Sequence, residues 1–312
     1  MNNFSLSLKN FIDACKNILI VAGNDKKIDN LVSSYALALV AKKEGKNVSI
    51  YFTGQNLPEQ LRFLNIQKFT EGQYKEFPKH DGTVFVGVTN EERYRMFMPE
   101  HTTANNVLNI HSGNPPDTAS EKLTRALKEL DANYITDVVA TALLSGIVSS
   151  TQNFQNPNVQ PQTLFISAYL TSKKAKNELI VQHLYKTKPM ETIKLWGSVI
   201  ANFSYVEDKK IGWSFIEYSD IKKNSFNKSL GASLINELKN NFNQANIIIL
   251  GIEHAPGKNI ALIHALSPDF LKNFSKTRGV ALKNSSCIMQ LRSGHAIKTA
   301  THKAAKEISA TL

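Results

Sequence analysis

Short apolar runs rich in β-branched residues alternate with helical patterns over the first half of the sequence, and this alternation constrains the fold most. The first run, NILIVAG at 17–23, precedes an alanine- and leucine-rich helical pattern at 29–45 and a second run, NVSIYFTG, at 47–54. Two further runs lie at 82–89 and 104–111. Strands separated by helices predict a mostly parallel sheet flanked by helices, with the chemistry in loops at the carboxyl ends of the strands.

The rest of the chain predicts a helical connector and a second α/β unit. The pattern is helical over 136–187, and two aromatic, β-branched runs then flank the charged stretch 207–210, which predicts a hairpin. Helical and strand-like runs alternate again over 230–308. A chain of 312 residues is long enough for two hydrophobic cores. We therefore predict two domains, 1–188 and 189–312, the second being a smaller α/β domain.

The composition is that of a folded globular protein, with 42% hydrophobic and 20% charged residues. No apolar run approaches the roughly 18 residues that a membrane helix needs. The first apolar run follows Asp13 and Lys16 and ends without a small-residue cleavage pattern, so we expect no secretion signal. The two cysteines, Cys15 and Cys287, form no metal-binding spacing, which predicts reduced thiols in a cytoplasmic protein.

Positive charge is distributed unevenly along the chain. The formal net charge is +11, and the segment 189–312, although shorter than 1–188, holds the larger share of it, with 16 basic and nine acidic residues. Such a surface suits a polyanionic ligand such as a nucleotide or a nucleic acid. Most of the basic residues are lysines, however, and lysine lacks the bidentate fork with which arginine recognises phosphate, so the charge alone leaves this ligand class open.

Four stretches at the expected loop positions carry a family resemblance. They are AGNDKKIDNLVS (22–33), VFVGVTNEER (84–93), NIHSGN (109–114) and GIVSSTQNF (146–154). Their order and flanking residues are similar to those of the DHH phosphoesterases, which include bacterial single-strand exonucleases, oligoribonucleases and cyclic-dinucleotide phosphodiesterases. The resemblance implies a catalytic domain, a helical connector and a C-terminal DHH-associated domain that holds the substrate. It also implies two divalent ions, usually manganese, held by His and Asp side chains from the four motifs.

The first motif keeps one of its ligand positions. The family pattern T-H-x-x-P-D-G-D-A-L-G-S places Asp29 on an aspartate, but Gly23 stands in place of the histidine and Lys27 in place of another aspartate. A shifted register would make Asp25 a ligand instead. An ordinary helix N-cap is the alternative interpretation of Asp29.

The second motif, a strand that ends in Asp-Thr with an arginine a few residues later, has lost its aspartate. Thr89 and Arg93 are retained, whereas Val88 occupies the position of the bridging carboxylate. Glu91 or Glu92 could reach back to this point, and the alternative is that both begin a solvated helix.

The third motif names the family, Asp-His-His followed by an asparagine. Asn109 and Ile110 occupy its first two positions, while His111 and Asn114 are retained. In the fourth motif Ser150 replaces the aspartate. The residues of that motif that match are Gly146, Ile147, Thr151 and Phe154.

Only Asp29 and His111 thus keep a ligand-type side chain among the positions that align. Two dications about 4 Å apart need several carboxylates to neutralise them before they can clamp a phosphodiester. One carboxylate and one imidazole predict no bound metal, or at most a single weakly bound Mn²⁺. We interpret Asp29 and His111 as remnants of the catalytic site, and Arg93 and Asn114 as substrate contacts implied by the resemblance.

The C-terminal domain of the family carries a G-G-G-H loop whose backbone amides and histidine meet the substrate phosphate. The order of elements favours the stretch 276–286, which has a helix before it and a strand after it. A competing register is 291–300, where Ser293, Gly294 and His295 are closer to the motif. The candidate phosphate contacts from the two registers are Arg278, Gly279, Lys283, Arg292 and His295.

Three hypotheses follow for the function. The first is a catalytically degenerate DHH-type protein that still binds a nucleotide or a short single-stranded nucleic acid in its interdomain cleft. The second is an active phosphodiesterase on oligonucleotides or dinucleotides, with a rearranged or single-metal site built from Asp25, Asp29, His111 and Asp137. The third is a non-enzymatic scaffold, with the aromatic stretch 94–98 as an interface or as core. The ligand, the partners and assembly into a homodimer stay open.

Overall fold

The computed structural model of the protein describes residues 2–24, 27–54, 57–69, 79–88, 106–186, 190–223, 228–283, 286–292 and 294–310. The chain divides into two compact units, an N-terminal unit, Met1–Thr187, and a C-terminal unit, Lys188–Leu312. No helix in the described ranges is long and apolar enough to cross a membrane.

The N-terminal unit is built on a parallel sheet flanked by helices. Its strands are β1 (Asn17–Ala22), β2 (Asn47–Phe52), β3 (Gly82–Val86) and β4 (Val107–Ile110). Its helices are α1 (Asn3–Ala14), α2 (Lys27–Lys43), α3 (Ala119–Leu130), α4 (Asp137–Ser150), α5 (Pro161–Ser172) and α6 (Asn177–Val181). The strands lie in the order β2-β1-β3-β4, and every neighbouring pair is parallel. The predicted α/β fold class is confirmed.

The apolar runs predict these strands because both faces of the sheet are buried. On one face Ile18 and Ile20 join a large core to which α1, α2, α3 and α4 all contribute. On the other face Leu19 and Val21 pack with Phe85 in a smaller cluster. A strand that is buried on both faces reads as a continuous hydrophobic run, as β1 does.

The C-terminal unit contains a mixed sheet with helices on both faces. Its strands are β5 (Ser204–Val206), β6 (Ile211–Ile216), β7 (Ile247–Ala255), β8 (Lys258–Ala265), β9 (Ala281–Lys283) and β10 (Ser286–Gln290). Its helices are α7 (Met190–Ala201), α8 (Tyr218–Lys223), α9 (Lys228–Asn241), α10 (Pro268–Arg278) and α11 (Ile297–Ser309). The strand order is β5-β6-β7-β8-β10-β9. The predicted hairpin is confirmed, since β5 and β6 pair antiparallel.

Alternate residues of β7 build the two cores of this unit. Ile247 and Ile249 pack towards α10 and α11, whereas Ile248 and Leu250 pack towards α7 and α9. The sequence pattern does not predict α1 or β9. The start of α1 is stabilised by an N-cap, because the Asn2 side chain accepts a hydrogen bond from the backbone N–H of Ser5 at 2.8 Å.

Candidate functional site

The carboxyl ends of three parallel strands lie side by side at one edge of the N-terminal sheet. The strand register aligns Ala22 of β1, Val86 of β3 and Ile110 of β4 in one row. The residues that follow these strands are Gly23, Gly87 and His111. The first three motifs therefore meet at neighbouring points, where a doubly wound sheet carries its site.

The backbone is closed at Gly23, where the family has a metal-binding histidine. The Gly23 N–H donates a hydrogen bond of 2.8 Å to Val86, and its carbonyl accepts one of 3.1 Å from the Asn30 side chain. A Cβ at position 23 would overlap the carbonyl oxygen of Gly87 and would lie 2.7 Å from the carbonyl carbon. No side chain, and so no imidazole, fits at this position without displacing the backbone.

The position of the bridging carboxylate is apolar. Val88 is 5% exposed and packs in the cluster of Leu19, Val21 and Phe85. Two dications beside this side chain would lose hydration and gain no ligand from it. The other retained residues of the second motif, Thr89 and Arg93, lie outside the described residues, as do Glu91 and Glu92.

Asp29 is 1% exposed, and its carboxylate is fully engaged. Its Oδ2 accepts from the Ser112 hydroxyl at 2.6 Å and from the Ala119 N–H at 2.9 Å. Its Oδ1 accepts from the N–H and the hydroxyl of Ser120, at 3.0 and 2.6 Å. The carboxylate thus lies at the positive end of the α3 dipole and satisfies its first two amides.

The N-terminus of α3 is completed by its own residues. The Thr118 hydroxyl accepts from the Glu121 N–H at 3.2 Å, and the Glu121 carboxylate accepts from the Thr118 N–H at 3.1 Å. This capping box satisfies the third free amide of the helix. Asp29 therefore joins α2 to α3 as an interhelical cap, in addition to lying in the first turn of α2.

Gly146 of the fourth motif lets α4 approach this cluster. A Cβ at Gly146 would overlap the Ser120 hydroxyl and would lie 2.8 Å from Asp29 Oδ1. The hydroxyl of Ser33, which aligns with the final serine of the first motif pattern, lies 2.9 Å from the Ser120 hydroxyl. Three matched motif residues, Asp29, Ser33 and Gly146, thus meet around Ser120 in one buried polar cluster, which we call the Asp29 cluster.

His111, which directly follows β4, is exposed. Its carbonyl oxygen accepts a hydrogen bond of 3.1 Å from Lys122 Nζ. The carboxylate of Asp29 bonds to Ser112, the next residue along the chain, and not to His111. Asn114, the retained asparagine of the motif, is exposed too and accepts a hydrogen bond from the Asp117 N–H through its carbonyl.

The alternative ligand Asp137 is not brought to this edge of the sheet. It begins α4, nine residues before Gly146, which corresponds to about 13 Å along a helix. Its exposed carboxylate accepts from the Val138 N–H at 2.9 Å. Asp25 lies outside the described residues. Within those that the structure describes, no group of three or more His, Cys, Asp or Glu side chains could hold a metal ion.

The first of the two candidate loops in the C-terminal unit follows α10. Gly279 ends this helix in a left-handed conformation, with φ of 61°, which glycine adopts without strain. The carbonyl end of a helix is the negative end of its dipole and disfavours phosphate. Arg278 lies 3.7 Å from the Glu307 carboxylate, and the side chain of Lys283 is outside the described residues.

The second candidate loop precedes α11. Arg292 and His295 are exposed there, and so is Lys298 in the first turn of the helix. Ala296, the N-cap residue, has no side chain that could accept from the first amides of α11. The positive side chains of Arg292 and Lys298 therefore lie within a few residues of the positive end of a helix dipole, an arrangement that favours an anion.

Comparisons with known proteins show which fold this chain shares. No family model matches the chain, and no curated protein matches it. Among solved structures, it resembles an exopolyphosphatase-related protein from Bacteroides fragilis, with a TM-score of 0.73 and 13% identity over 99% of this chain and 96% of that one. At this identity the likeness shows the fold. The predicted resemblance to the DHH phosphoesterases is confirmed at that level.

Two weaker structural likenesses are to the exonuclease RecJ. One is to RecJ bound to manganese, with a TM-score of 0.47 and 10% identity over 100% of this chain and 95% of that one. The other is to RecJ from Thermus thermophilus in complex with Mn²⁺, with a TM-score of 0.45 and 10% identity over 99% of this chain and 55% of that one.

The sequence pattern misses the partners that explain Asp29. Ser112 and Ser120 are ordinary serines in sequence, and only the fold brings them to the carboxylate. One signal was available, since Thr118 and Glu121 have the spacing of a capping box and predict a helix that begins two residues before 121. Neither Lys122 nor Arg125 was singled out by any motif.

Proposed function

We propose that this protein has a DHH phosphoesterase fold without two-metal catalysis and binds a nucleotide or a short single-stranded nucleic acid. The closed backbone at Gly23 is the observation that supports the loss of catalysis most strongly. A missing ligand could be replaced by a neighbouring side chain, but a position without room for a Cβ leaves no space for the original ligand. The described residues at this edge do not fit a pair of manganese ions.

The state of Asp29 supports the same proposal. In an active site a metal-binding carboxylate keeps lone pairs directed at the ion. Here both oxygens of Asp29 accept two hydrogen bonds each. An active phosphodiesterase built on Asp29 and Asp137 is disfavoured, because the first is engaged and the second lies at the far end of α4.

Binding of a polyanion is supported by the C-terminal unit. The stretch 189–312 carries 16 basic and nine acidic residues. The loop before α11 and the first turn of that helix present the exposed side chains of Arg292, His295 and Lys298, close in sequence to helix amides that Ala296 does not cap. We favour this loop over Gly279 as the phosphate contact because it presents the positive end of a helix dipole. A scaffold role stays an alternative, since Leu164 and Phe165 on α5 are 51% and 71% exposed.

Two titrations test this proposal. Calorimetry of the metal-stripped chain with Mn²⁺ should give no site of micromolar affinity. Fluorescence anisotropy with a labelled five-nucleotide DNA should show binding that weakens as salt rises. The variant Arg292→Gln/Lys298→Gln should bind the DNA about tenfold more weakly and with a shallower salt dependence. The control Lys239→Gln/Lys272→Gln removes the same charge from α9 and α10 and should bind nearly as the parent does.

Each half of the proposal has its own contradicting result. Two tight Mn²⁺ sites would restore the active phosphodiesterase. An absence of DNA and dinucleotide binding at low salt would contradict the binding role and leave the scaffold. Equal losses in the two double variants would mean that the DNA responds to net charge and that the loop before α11 is not its site.

A further inference from the structure

A cavity of about 390 Å³ opens in the N-terminal unit between the start of α1, the end of β4 and the first turns of α3. Asn109 and His111 line it from the end of β4, Lys122 and Arg125 from α3, and Asn2 from the start of α1. Its volume lies within the range of pockets that hold small-molecule ligands. The described residues that line it include no acidic side chain.

The two cationic side chains are held in place by the protein. Lys122 Nζ donates 3.1 Å to the His111 carbonyl, and Arg125 Nη1 donates 3.0 Å to the Pro116 carbonyl. They lie three residues apart on α3 and so share one face. An ammonium has three N–H donors and a guanidinium five, so each keeps donors beyond these bonds. Fixed donors on one face make a preorganised anion site.

The carboxylate of Asp117 neutralises Arg125 only weakly. Asp117 lies 3.5 Å from Arg125 Nη2, and its side chain is 64% exposed. An exposed pair of this kind interacts weakly in water and weakens further with salt. The Glu129 carboxylate bonds to Asn2 and Ser5 at the start of α1.

Asn109 adds an acceptor that nothing in the described part of the chain satisfies. Its Oδ1 is buried and has no hydrogen-bond partner there. A buried acceptor without a donor destabilises the folded protein, so we expect the Asn109 amide to turn towards the cavity that it lines when a donor enters. An inorganic anion without a hydroxyl would leave it unsatisfied.

We propose that this cavity binds a small phosphate monoester that also carries a hydroxyl group. The phosphate accepts hydrogen bonds from Lys122 and Arg125, and the hydroxyl donates to Asn109 Oδ1. A sugar phosphate and a nucleoside monophosphate share this chemistry. The site needs no metal ion and lies wholly within the N-terminal unit, so it does not depend on nucleic-acid binding by the loop before α11.

Calorimetry of the full chain at neutral pH and low salt tests the site with four probes. Ribose 5-phosphate should bind at least tenfold more tightly than sulfate, which carries no hydroxyl at this pH, and ribose without the phosphate should not bind measurably. Adenosine monophosphate identifies the source. Binding tighter than that of ribose 5-phosphate supports a nucleotide, and equal binding supports a sugar phosphate. No binding of either phosphate monoester overturns the proposal.

Two variants test which residue binds the phosphate group and which binds the hydroxyl group of the ligand. Lys122→Gln should weaken the binding of ribose 5-phosphate and of sulfate alike, by about tenfold, which is the loss of one charged hydrogen bond. Lys9→Gln removes the same charge from an exposed position on α1 and should leave both affinities unchanged. Asn109→Leu should lower the affinity for ribose 5-phosphate to that for sulfate and leave the affinity for sulfate unchanged.

The contradicting results are separate from those for nucleic-acid binding. Equal losses in Lys122→Gln and Lys9→Gln would mean general charge attraction and would overturn the site. An equal loss of affinity for ribose 5-phosphate and for sulfate in Asn109→Leu would overturn the role of the hydroxyl. The labelled DNA should bind the Lys122→Gln variant as tightly as it binds the parent. Each of the two proposed binding sites can therefore be contradicted without the other.

Discussion

The Asp29 cluster and the cavity beside Asn109 both involve the segment from β4 to α3. They differ in how their polar groups are satisfied. Asp29 accepts four hydrogen bonds from the chain. Asn109 Oδ1 accepts none from the described residues. Both residues align with metal-ligand positions of the DHH family. In this protein the first of these positions forms a closed structural contact, and the second lines an open polar cavity.

Charge explains why the two positions need different surroundings. A buried carboxylate without a cation must find other positive partners, because desolvation of an unpaired charge is very costly. The amides and the dipole of α3 supply those partners to Asp29. The side chain of Asn109 is neutral, so leaving its Oδ1 without a partner costs far less free energy. Retention of an aspartate in the first motif is therefore explained without a metal.

The largest expected effect is that of Asp29→Ala on stability. This change leaves two amides of α3 and two serine hydroxyls without their acceptor, and it should lower the free energy of unfolding by about 3–4 kcal/mol. His111→Ala, on the exposed side of the loop, should change it by less than about 0.5 kcal/mol. Urea unfolding followed by hydrogen exchange in α3 measures both.

Tryptophan fluorescence supplies an internal control for this experiment. Both tryptophans, Trp196 and Trp213, lie in the C-terminal unit. Their unfolding transition should move little in Asp29→Ala if that unit unfolds on its own. Equal stabilities of Asp29→Ala and His111→Ala would contradict the contrast between a closed and an open site.

A smaller effect on stability is expected at Gly23, where the backbone leaves no room for a side chain. Gly23→Ala forces a Cβ against Gly87 and should cost about 2–3 kcal/mol in unfolding free energy. The control Gly197→Ala lies in an exposed part of α7 with nothing within 4 Å of the added Cβ. It should stabilise by about 0.5–1 kcal/mol. A Gly23→Ala variant that is as stable as the parent or more stable in thermal unfolding would mean that position 23 has room.

Much of the fold follows from the sequence, because buried parallel strands read as long apolar runs. NILIVAG and NVSIYFTG predict β1 and β2 to within two residues at their ends. The three-residue β9 has too few side chains for a period to show. The amphipathic α1 lies before the first strand, where no motif draws attention to it.

The site is predicted only in part, because spacing along the chain does not report contacts across it. The loss of ligands at positions 23 and 88 can be read directly from the sequence. The hydrogen bonds that Ser112 and Ser120 donate to Asp29 cannot, since 83 and 91 residues separate them. The same holds for the cavity, whose lining joins α1, β4 and α3.

The smallest expected effect concerns the wall that α1 gives to the open cavity. Hydrogen bonds from the Asn2 backbone N–H, at 2.9 Å, and from the Ser5 hydroxyl hold the pKa of Glu129 below its ordinary value of 4.5. A lowered carboxyl pKa stabilises the folded protein above pH 4.5, and this contribution is lost as the pH falls through the lowered value. Glu129→Gln should therefore loosen the start of α1 at pH 7 and have little effect well below the lowered pKa.

Hydrogen exchange of the backbone amides in the segment 2–14 measures the contact between Glu129 and the start of α1. At pH 7, protection there should fall roughly threefold in Glu129→Gln, since a charged acceptor at the helix start is lost. Glu178→Gln, an exposed change in α6, should leave protection in α1 unchanged. A difference between parent and Glu129→Gln that persisted undiminished at pH 2.5 would mean that shape, and not the carboxylate charge, ties α1 to α3. The start of α1 would then be held as firmly as the Asp29 cluster. The contrast between that cluster and the cavity would rest on Asn109 alone.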